Sequence, residues 1–457
     1  MPEITELTQA TSIKDGVQLL LDELAAWLDD ARDRHLALDW QGIHDEATFV
    51  TAWAGYHAYT GDERVKQLAL DLFAKWRHWA ASNLVHGYFP RQEVHHGTEH
   101  YIIFLDWLCR IAPECEEVAA ALEDGAHHVG NWGEGAPDWY DPERNRFLSY
   151  DLGTVRTGCE GFNFVDHMRM VHLAMAAWHA TGGDRYLDLA RAYARTWADA
   201  IVEATDIPLF LDPDHHSQAE LEQLLHSFLK AAPQQINGHA RVENHVASGT
   251  PKALLDVWRA TDDDGCRHAA LRLARACVPY LASPVANPAG HILSLMLRAE
   301  ATPAILGLDG NPFPDADAWR PLDECSMTIQ TEPGSPWQDS LGYRFDLPAW
   351  QLKGSDNNPI EERPAPGNLV LAWELSGREQ YALDACTIAL GRLRLARNTF
   401  RDGRHHGCTA QSIAATVRGH GRCWGIGDVS AVLANPAVQA AFGLPPGSPS
   451  GPTPVTN

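Results

Sequence analysis

The sequence predicts an all-α fold in which successive helical hairpins close into a ring, an (α/α)6 or (α/α)7 toroid with irregular loop inserts and a few short strands. Three observations favour this class. Amphipathic segments with apolar residues three and four positions apart recur along most of the chain. A short Thr-Gly-Asp type of turn separates them in pairs. The first helix of each pair is apolar on nearly all sides and suits an inner ring, whereas the second has a charged face and suits an outer ring.

The elements follow from this repeat in chain order. A first helix is predicted at residues 17–35, and helices at 47–59 and 64–79 then flank the turn Thr60-Gly61-Asp62. An Asp or Ser stands where the N-cap of the second helix belongs. An open solenoid is the alternative, but its copies would be more evenly spaced than these. Further copies of the turn lie at residues 180–186, 260–264 and, in weaker form, 375–379.

Two stretches interrupt the helical pattern. Residues 132–158 are rich in aromatic residues, Pro and Gly, and predict an extended loop or hairpin. Residues 302–366 form the longest non-helical stretch, with strand candidates at 325–331 and 342–347. Both stretches suit a lid or a substrate subsite, and both could equally be inert.

Composition limits the domain plan, the compartment and the partners. We predict one catalytic domain at residues 1–442 and a disordered Pro/Gly/Ser-rich tail at 443–457. The net charge of −24 disfavours nucleic acid and anionic membranes, which both need a basic surface. Nine scattered Cys without a CxxC pair indicate reduced thiols. Neither a signal peptide nor an apolar membrane span is recognisable, so we expect a cytoplasmic protein.

Titratable residues precede several predicted helices, where main-chain N–H groups and the helix dipole hold charge. The densest set is His95-His96-Gly97-Thr98-Glu99-His100. A helix that starts near Thr98 would place Glu99 and His100 in its first turn. His96 and His100 have the i, i+4 spacing of a divalent-metal site, with Glu99 as a third ligand or an acid–base group. The alternative is that these side chains only cap the helix. The HExxH pattern of metalloproteases is absent.

Two further polar segments supply candidate groups. In the first, Asp166 and His167 offer acid–base chemistry with Asn163 and Arg169 nearby, whereas His172 falls off that face and is expected to be a core residue. In the second, residues 237–245, Arg241 can bind a carboxylate, Asn244 can neutralise charge and His245 can act as a base. A polar surface turn is the alternative interpretation of this second segment.

Aromatic and basic residues in loops are candidates for substrate subsites. Trp139 and Trp337 lie outside helical stripes, where an aromatic face can stack on a sugar ring. His405 and Arg422 lie in glycine-rich stretches that suit a backbone close to a ligand. Arg91 lies beside the densest His cluster and could bind an anionic group. Core packing is the common alternative for any single Trp.

The repeated hairpin, with Tyr59-Thr60-Gly61-Asp62 and Ala180-Thr181-Gly182-Gly183-Asp184 at its turns, resembles that of the (α/α) toroid carbohydrate-active enzymes. These include polysaccharide lyases, several glycoside hydrolase families and the N-acylglucosamine epimerases, although the usual C-terminal pattern of the epimerases is not evident. The resemblance covers residues 17–440 and lies in architecture. It implies a saccharide bound in a cleft at the mouth of the inner helices.

The function that we expect is a lyase that cleaves a uronic-acid-containing oligosaccharide or polysaccharide by β-elimination. This chemistry needs a neutralised carboxylate, a base for the C5 proton and an acid for the leaving oxygen. A divalent metal such as Zn, Mn or Ca fits the chemistry, whereas no nucleotide cofactor is expected. The expected partner is the saccharide substrate, with neither nucleic acid nor a membrane, and the sequence does not determine the oligomeric state. We expect catalysis from Glu99, His100, Tyr101, His167 and His245, metal ligation by His96, Glu99 and His100, and substrate binding by Arg91, Trp139, Asn163, Arg241, Asn244, Trp337, His405 and Arg422.

Two other classes remain open. A glycoside hydrolase would need two carboxylates at hydrolysis spacing, for which the candidates are Glu99, Glu160, Asp166 and Glu243. A non-catalytic helical-repeat protein would instead bind a protein or small ligand through polar residues that do not converge. Product analysis separates lyase from hydrolase, since only elimination yields an unsaturated uronide that absorbs in the near ultraviolet.

Overall fold

The computed structural model describes a mostly helical chain, which confirms the all-α class. Within the described part of the chain, no helix combines the length and the apolar character that crossing a bilayer requires. The tail predicted at residues 443–457 lies outside the described residues, apart from its first two positions. The described residues are 4–6, 10–37, 49–92, 94–149, 151–156, 163–211, 242, 245–246, 248–281, 289–299, 301–308, 326–331, 341–345, 366–399 and 432–444.

The helices predicted at 17–35 and 64–79 are present and a few residues longer, whereas the α-helix within the predicted 47–59 segment is shorter. A 3-10 helix, Phe49–Trp53, leads directly into the second helix. The α-helices in chain order are α1 (Ile13–Ala37), α2 (Ala54–Thr60), α3 (Glu63–Asn83), α4 (Val94–Glu99), α5 (Asp106–Ile111), α6 (Glu116–Val129), α7 (Arg169–Thr181), α8 (Asp184–Glu203), α9 (Thr250–Thr261), α10 (Asp264–Cys277), α11 (Ala289–Arg298), α12 (Pro303–Leu306), α13 (Pro366–Ser376), α14 (Glu379–Thr399) and α15 (Pro436–Phe442).

The hairpin turn predicted from the repeat is built in the same way in four places. The Thr or Ser that ends the first helix donates its hydroxyl proton to the main-chain carbonyl four residues earlier: Thr60 to Tyr56, Thr181 to Ala177, Thr261 to Val257 and Ser376 to Ala372. The next residue has a left-handed backbone, with φ of 63° at Gly61, 70° at Gly182, 54° at Asp262 and 70° at Gly377. These shared hydrogen bonds confirm the recurring turn, and the two flanking helices pack against each other in α7–α8 and in α13–α14.

Two of the following helices have the Asp N-cap that the repeat predicts. Asp62 Oδ1 accepts the main-chain N–H of Arg64 at 3.0 Å, and Asp263 Oδ1 accepts that of Gly265 at 3.1 Å. Hydrogen bonds from the Arg64 side chain lower the pKa of Asp62 to about 2. Arg195 donates to Asp263 at 2.8 Å, which joins α8 to the start of α10.

The other two positions correct the prediction of an Asp or Ser cap. Asp184 is already the first residue of α8, and the residue before it, Gly183, occupies the N-cap without a capping side chain. Ser376 is the last residue of α13, and its hydroxyl accepts the N–H of Arg378 at 3.2 Å. The residue directly before α8 is Gly183 and that before α14 is Arg378, so neither helix has an Asp or Ser at its N-cap.

The chain divides into two compact units, of which the first comprises Met1–Ala74 and Cys277–Asn457. In this unit α14 packs against α1 and α13, and α13 also packs against α11. The Trp53 indole donates to the Leu24 carbonyl at 2.8 Å and its ring lies 5.0 Å from that of Trp27. The carboxylate of Glu374 accepts from Ser294 at 3.1 Å and from Asn435 at 2.9 Å.

The first unit also contains an antiparallel sheet of three strands in the order β1 (Ile4–Glu6), β6 (Ser326–Thr331), β7 (Leu341–Phe345). The two longer strands confirm the candidates predicted at 325–331 and 342–347, and their register pairs Ile329 with Tyr343. The short strand β1 was not predicted, because three residues carry too little alternation to be recognised.

The second unit, Lys75–Ala276, is organised around α7. This helix packs against α6, α8, α9 and α4, and each of its residues from Arg169 to Ala177 is buried. Within the stretch 132–158, the strands β2 (Tyr140–Asp141) and β3 (Arg146–Phe147) pair as a hairpin, as predicted. A second short pair joins β4 (Asn163–Phe164) to β5 (Phe210–Leu211).

Candidate functional site

The His-rich stretch forms one helix that is interrupted by a π-helical turn at His100–Leu105, between α4 and α5. Because α4 begins at Val94, the expected helix start near Thr98 is wrong. Glu99 and His100 lie in the middle of a helix instead of in its first turn. All six residues of the π turn are buried. Such turns are rare and occur frequently at functional sites, so this interruption marks the candidate site.

A buried ion pair lies beside the π turn. Arg169, the first residue of α7, is fully buried, and its Nη2 is 4.0 Å from Oε1 of Glu99, which is 1% exposed. The Nε–H of Arg169 donates to Oγ1 of Thr98 at 2.7 Å, and Thr98 donates to the Val94 carbonyl at 2.7 Å. Buried charges persist only when they are paired and hydrogen-bonded. The packing of α4 on α7 therefore keeps a guanidinium and a carboxylate together in the core of this unit.

His100 follows Glu99 directly and is surrounded by aromatic rings. Its imidazole centroid lies 4.2 Å from the Trp76 ring, at an interplanar angle of 31°, and 5.4 Å from the Phe104 ring. The residue is 5% exposed. The π turn thus holds an imidazole in an apolar, aromatic setting one position away from the Glu99–Arg169 pair.

Tyr101 has a structural hydrogen bond. Its hydroxyl donates to the main-chain carbonyl of His86 at 2.8 Å, and its ring stacks on Tyr88 at 5.2 Å. A Cβ on Gly87 would overlap the Tyr101 hydroxyl, so that glycine makes the close approach possible. Burial raises the pKa of Tyr101 well above its usual value. The Tyr101 hydroxyl, for which a proton-transfer role was predicted, therefore stays protonated and hydrogen-bonded to a main-chain carbonyl.

A second polar group lies on the next turn of α7. His172 is 7% exposed, and its Nε2–H donates to the Gly249 carbonyl at 3.0 Å, which confirms it as a core residue. Burial and the nearby charge of Lys252 lower its pKa to about 3, so the ring is neutral. Nζ of Lys252 lies 2.5 Å from Oδ2 of Asp256. Burial acts to raise the pKa of Asp256, but the lysine outweighs it and the net shift is downward.

His167 and Asn163 are bonded to main-chain groups. The fully buried imidazole of His167 accepts the N–H of Phe164 at 3.2 Å and donates to the Ser149 carbonyl at 3.0 Å. The Asn163 amide donates to the carbonyl of Phe147 at 2.8 Å and accepts its N–H at 2.9 Å, as a neighbouring strand would. Burial lowers the pKa of His167. Both side chains hold the β2–β3 segment in place.

The other described candidates are separate from the ion pair. Trp139 is fully buried, and its indole N–H donates to the Asp151 carbonyl at 3.1 Å, so its ring faces are covered by protein. His245 is fully buried, and its Nε2 lies 2.6 Å from the Pro208 carbonyl. Arg91 is 62% exposed, with Nε 3.7 Å from Oδ2 of Asp151. Among the described residues, the predicted Glu99 and His100 thus lie together with Arg169, which the sequence analysis named only as a neighbour of Asp166 and His167.

Several predicted site residues lie outside the described residues. Among the side chains that the structure does describe, no group of three or more His, Cys, Asp or Glu is arranged to hold a metal ion. The third ligand of the predicted metal site, His96, has a described backbone in α4 but no described side chain. The predicted residues outside are Arg241, Asn244, Trp337, His405 and Arg422, together with the carboxylates Glu160 and Glu243.

Sequence reasoning gave no role to Thr98, Lys252 and Asp256. Lys252 and Asp256 are four residues apart in α9, and the residues between them are apolar and buried. Charges at this spacing are usually assigned to a solvent-facing side. The signal that could have identified them is the apolar character of the residues between and beside them in α9, which indicates a buried helix face. Comparison with models of known protein families, with curated proteins and with solved structures found no match to this chain.

Proposed function

We propose that this chain is a carbohydrate-active lyase that cleaves a uronic-acid-containing saccharide by β-elimination, on a toroid of (α/α) hairpins. The observation that carries the proposal is the buried Glu99–Arg169 pair beside His100 at the π turn. The four turns with the same hydrogen bond support a repeated hairpin unit, which a toroid requires.

The proposed chemistry assigns one role to each group. Arg169 supplies positive charge that neutralises the substrate carboxylate and so acidifies the C5 proton. His100 takes that proton as a base, the C4–O bond breaks as the C4–C5 double bond forms, and the leaving oxygen takes a proton from solvent. Glu99 orients the guanidinium. In the free protein, the Glu99 carboxylate balances the positive charge of Arg169, which the substrate carboxylate contacts on binding.

The other predicted catalytic residues receive no proton-transfer step in this proposal. The described hydrogen bonds of Tyr101, His167 and His245 are with main-chain groups, so these side chains already serve the fold. A divalent metal also stays a prediction, because its proposed set includes His96. Elemental analysis of the purified protein tests the metal independently of activity.

The test is an absorbance screen for an unsaturated uronide with a panel of uronate-containing oligosaccharides, followed by variants on the active substrate. We expect His100→Gln to abolish product formation and Arg169→Lys to reduce it by roughly 100-fold, because lysine lacks the planar fork that holds a carboxylate at two points. Arg191→Lys is the matched control, since Arg191 is 56% exposed and lies 3.8 Å from the carboxylate of Asp263. Far-ultraviolet circular dichroism and thermal unfolding show whether each variant is folded.

The result that contradicts a lyase is saccharide cleavage without near-ultraviolet absorbance, which would indicate hydrolysis. Full activity in folded His100→Gln protein would contradict the assigned base even if the substrate class were right.

A non-catalytic binding protein is the second candidate, and a specific observation favours it. The polar side chains of Asn163, His167 and His245 satisfy main-chain groups, as in a scaffold whose polar residues serve the fold. This alternative expects saturable binding of a saccharide or protein with no cleavage of any panel member. Calorimetric titration with the same panel distinguishes it from the lyase.

A further inference from the structure

His86 lies at the tip of a tight turn whose backbone is fixed on several sides. Val85 and Tyr88 exchange two main-chain hydrogen bonds, at 3.2 and 2.9 Å. The two residues between them have φ of 53° at His86 and 76° at Gly87, as in a two-residue type I′ hairpin. The Tyr101 hydroxyl donates to the His86 carbonyl. The main chain at His86, from which the imidazole extends, is therefore fixed in place.

Both ring nitrogens of His86 face hydrogen-bond acceptors. Nδ1 lies 2.6 Å from Oδ1 of Asp124 on α6, and Nε2 lies 2.7 Å from the main-chain carbonyl oxygen of Glu134. A neutral imidazole carries one N–H and can satisfy only one of these acceptors, whereas the imidazolium carries two. Gly133 leaves room for this contact, since a Cβ there would lie 2.9 Å from Nε2. Only the protonated ring can donate to both acceptors.

The charged and titratable groups around His86 agree with a protonated ring. His128 stacks on it at 6.3 Å, but burial lowers the pKa of His128 to about 4 and leaves that ring neutral. His127, the preceding residue of α6, has a pKa lowered by burial and by Arg185. Tyr101 stays protonated, and the Glu134 carboxylate is on the exposed surface. Burial acts to lower the pKa of His86, but its bonds to Asp124 and Glu134 outweigh this and the net shift is upward.

We propose that His86 is a pH-dependent latch: as an imidazolium it fastens residues 132–135 to α6 and to the 85–88 turn, and on losing its proton it releases the Glu134 end. In the neutral ring the N–H stays with Asp124, so the lone pair of Nε2 faces the Glu134 carbonyl oxygen and repels it. Because the pKa of His86 in the folded form lies above that of a free imidazole, the latch closes as the pH falls and opens as the pH rises through the folded-state pKa.

The experiment is hydrogen–deuterium exchange of the full chain between pH 5.5 and 9, with protection factors corrected for the intrinsic rate. For a peptide that covers residues 131–137 we expect protection to fall several-fold with a midpoint above 6.5. His86→Gln removes this step. Asp124→Asn moves the midpoint down by about 1 unit, because an opposite charge within hydrogen-bond distance is lost. His78→Gln, at an exposed position of α3, is the matched control and keeps the wild-type profile.

Nitrogen-15 chemical shifts of the His86 ring in the unmodified protein provide a test that does not depend on a variant folding. At pH 6.5 both nitrogens are expected to have the shifts of protonated nitrogens. A neutral tautomer at that pH overturns the latch, as does protection of residues 131–137 that is independent of pH or is unaltered by His86→Gln.

Discussion

Gly182→Ala is expected to destabilise the second unit through the backbone alone. Gly182 ends α7 with φ of 70° and ψ of 13°, in the left-handed region. A Cβ placed on it would meet no atom within 4 Å, so no steric clash with a neighbour contributes. The change therefore measures the conformational cost of the hairpin turn in isolation.

The magnitude follows from two opposing terms. A residue with a Cβ in the left-handed region costs about 1–2 kcal/mol. Alanine also has fewer unfolded conformations than glycine, which returns about 0.4–1 kcal/mol to the folded state. The net expected loss is about 1 kcal/mol of unfolding free energy. Asp262 has the same place in the next hairpin with φ of 54°, so Asp262→Gly should have the opposite sign, with a gain of up to about 1 kcal/mol.

Urea unfolding followed by far-ultraviolet circular dichroism measures both changes, and equal m-values show that the same transition is compared. Gly61→Ala and Gly377→Ala are parallel tests in the first unit, since neither site has an atom within 4 Å of an added Cβ. If Gly182→Ala is neutral or stabilising, or if Asp262→Gly costs as much as Gly182→Ala, the left-handed turn is not what limits these positions.

Three further changes test the contacts around the site. In chemical denaturation, Asn163→Asp should lower the unfolding free energy by roughly 2–4 kcal/mol, because a carboxylate would face the Phe147 carbonyl in a buried position, and the loss should grow as the pH rises. Tyr193→Phe removes one hydrogen bond to the same side chain and should lower it by about 1 kcal/mol. Asp263→Ala should cost about 1–2 kcal/mol by removing an N-cap, against little change for the exposed Asp264→Ala. The unfolded chain protonates His172 near pH 6.5 but the folded chain only near 3, so the unfolding free energy should fall as pH decreases across this window, and less steeply in His172→Gln.

The hairpins were predictable because their information is local. Apolar spacing identifies each helix, and a Thr followed by Gly identifies its end through hydrogen bonds that span four residues. The π turn was not predictable in this way. Its six residues are all buried, and the extra residue is accommodated by packing against α6 and α7, which are distant in sequence.

The candidate site was predictable only in part, because a local cluster of polar residues was interpreted as a catalytic site although some of its members stabilise the fold. Asn163 and His167 serve the irregular β2–β3 segment, whose main-chain groups at Phe147 and Ser149 have no long strand beside them to bond. Buried main-chain N–H and C=O groups need polar side chains as hydrogen-bond partners, just as a bound substrate does. Arg169, by contrast, stood at a helix start where an exposed arginine is the ordinary expectation.

The π turn at His100–Leu105 adds one residue to a continuous helix, and an α-helix advances about 100° per residue. Everything downstream is therefore rotated by that angle relative to the upstream turn. Glu99 is directed to Arg169 before the insertion, while Trp107 and Leu108, after it, are buried in a helix that packs against α6 and α7. Deleting one residue between them would restore a regular helix but leave the two ends out of phase, so one set of buried contacts would be lost. With the additional residue, the helical segments before and after the π turn can each face their own packing partners, which an uninterrupted α-helix would not allow.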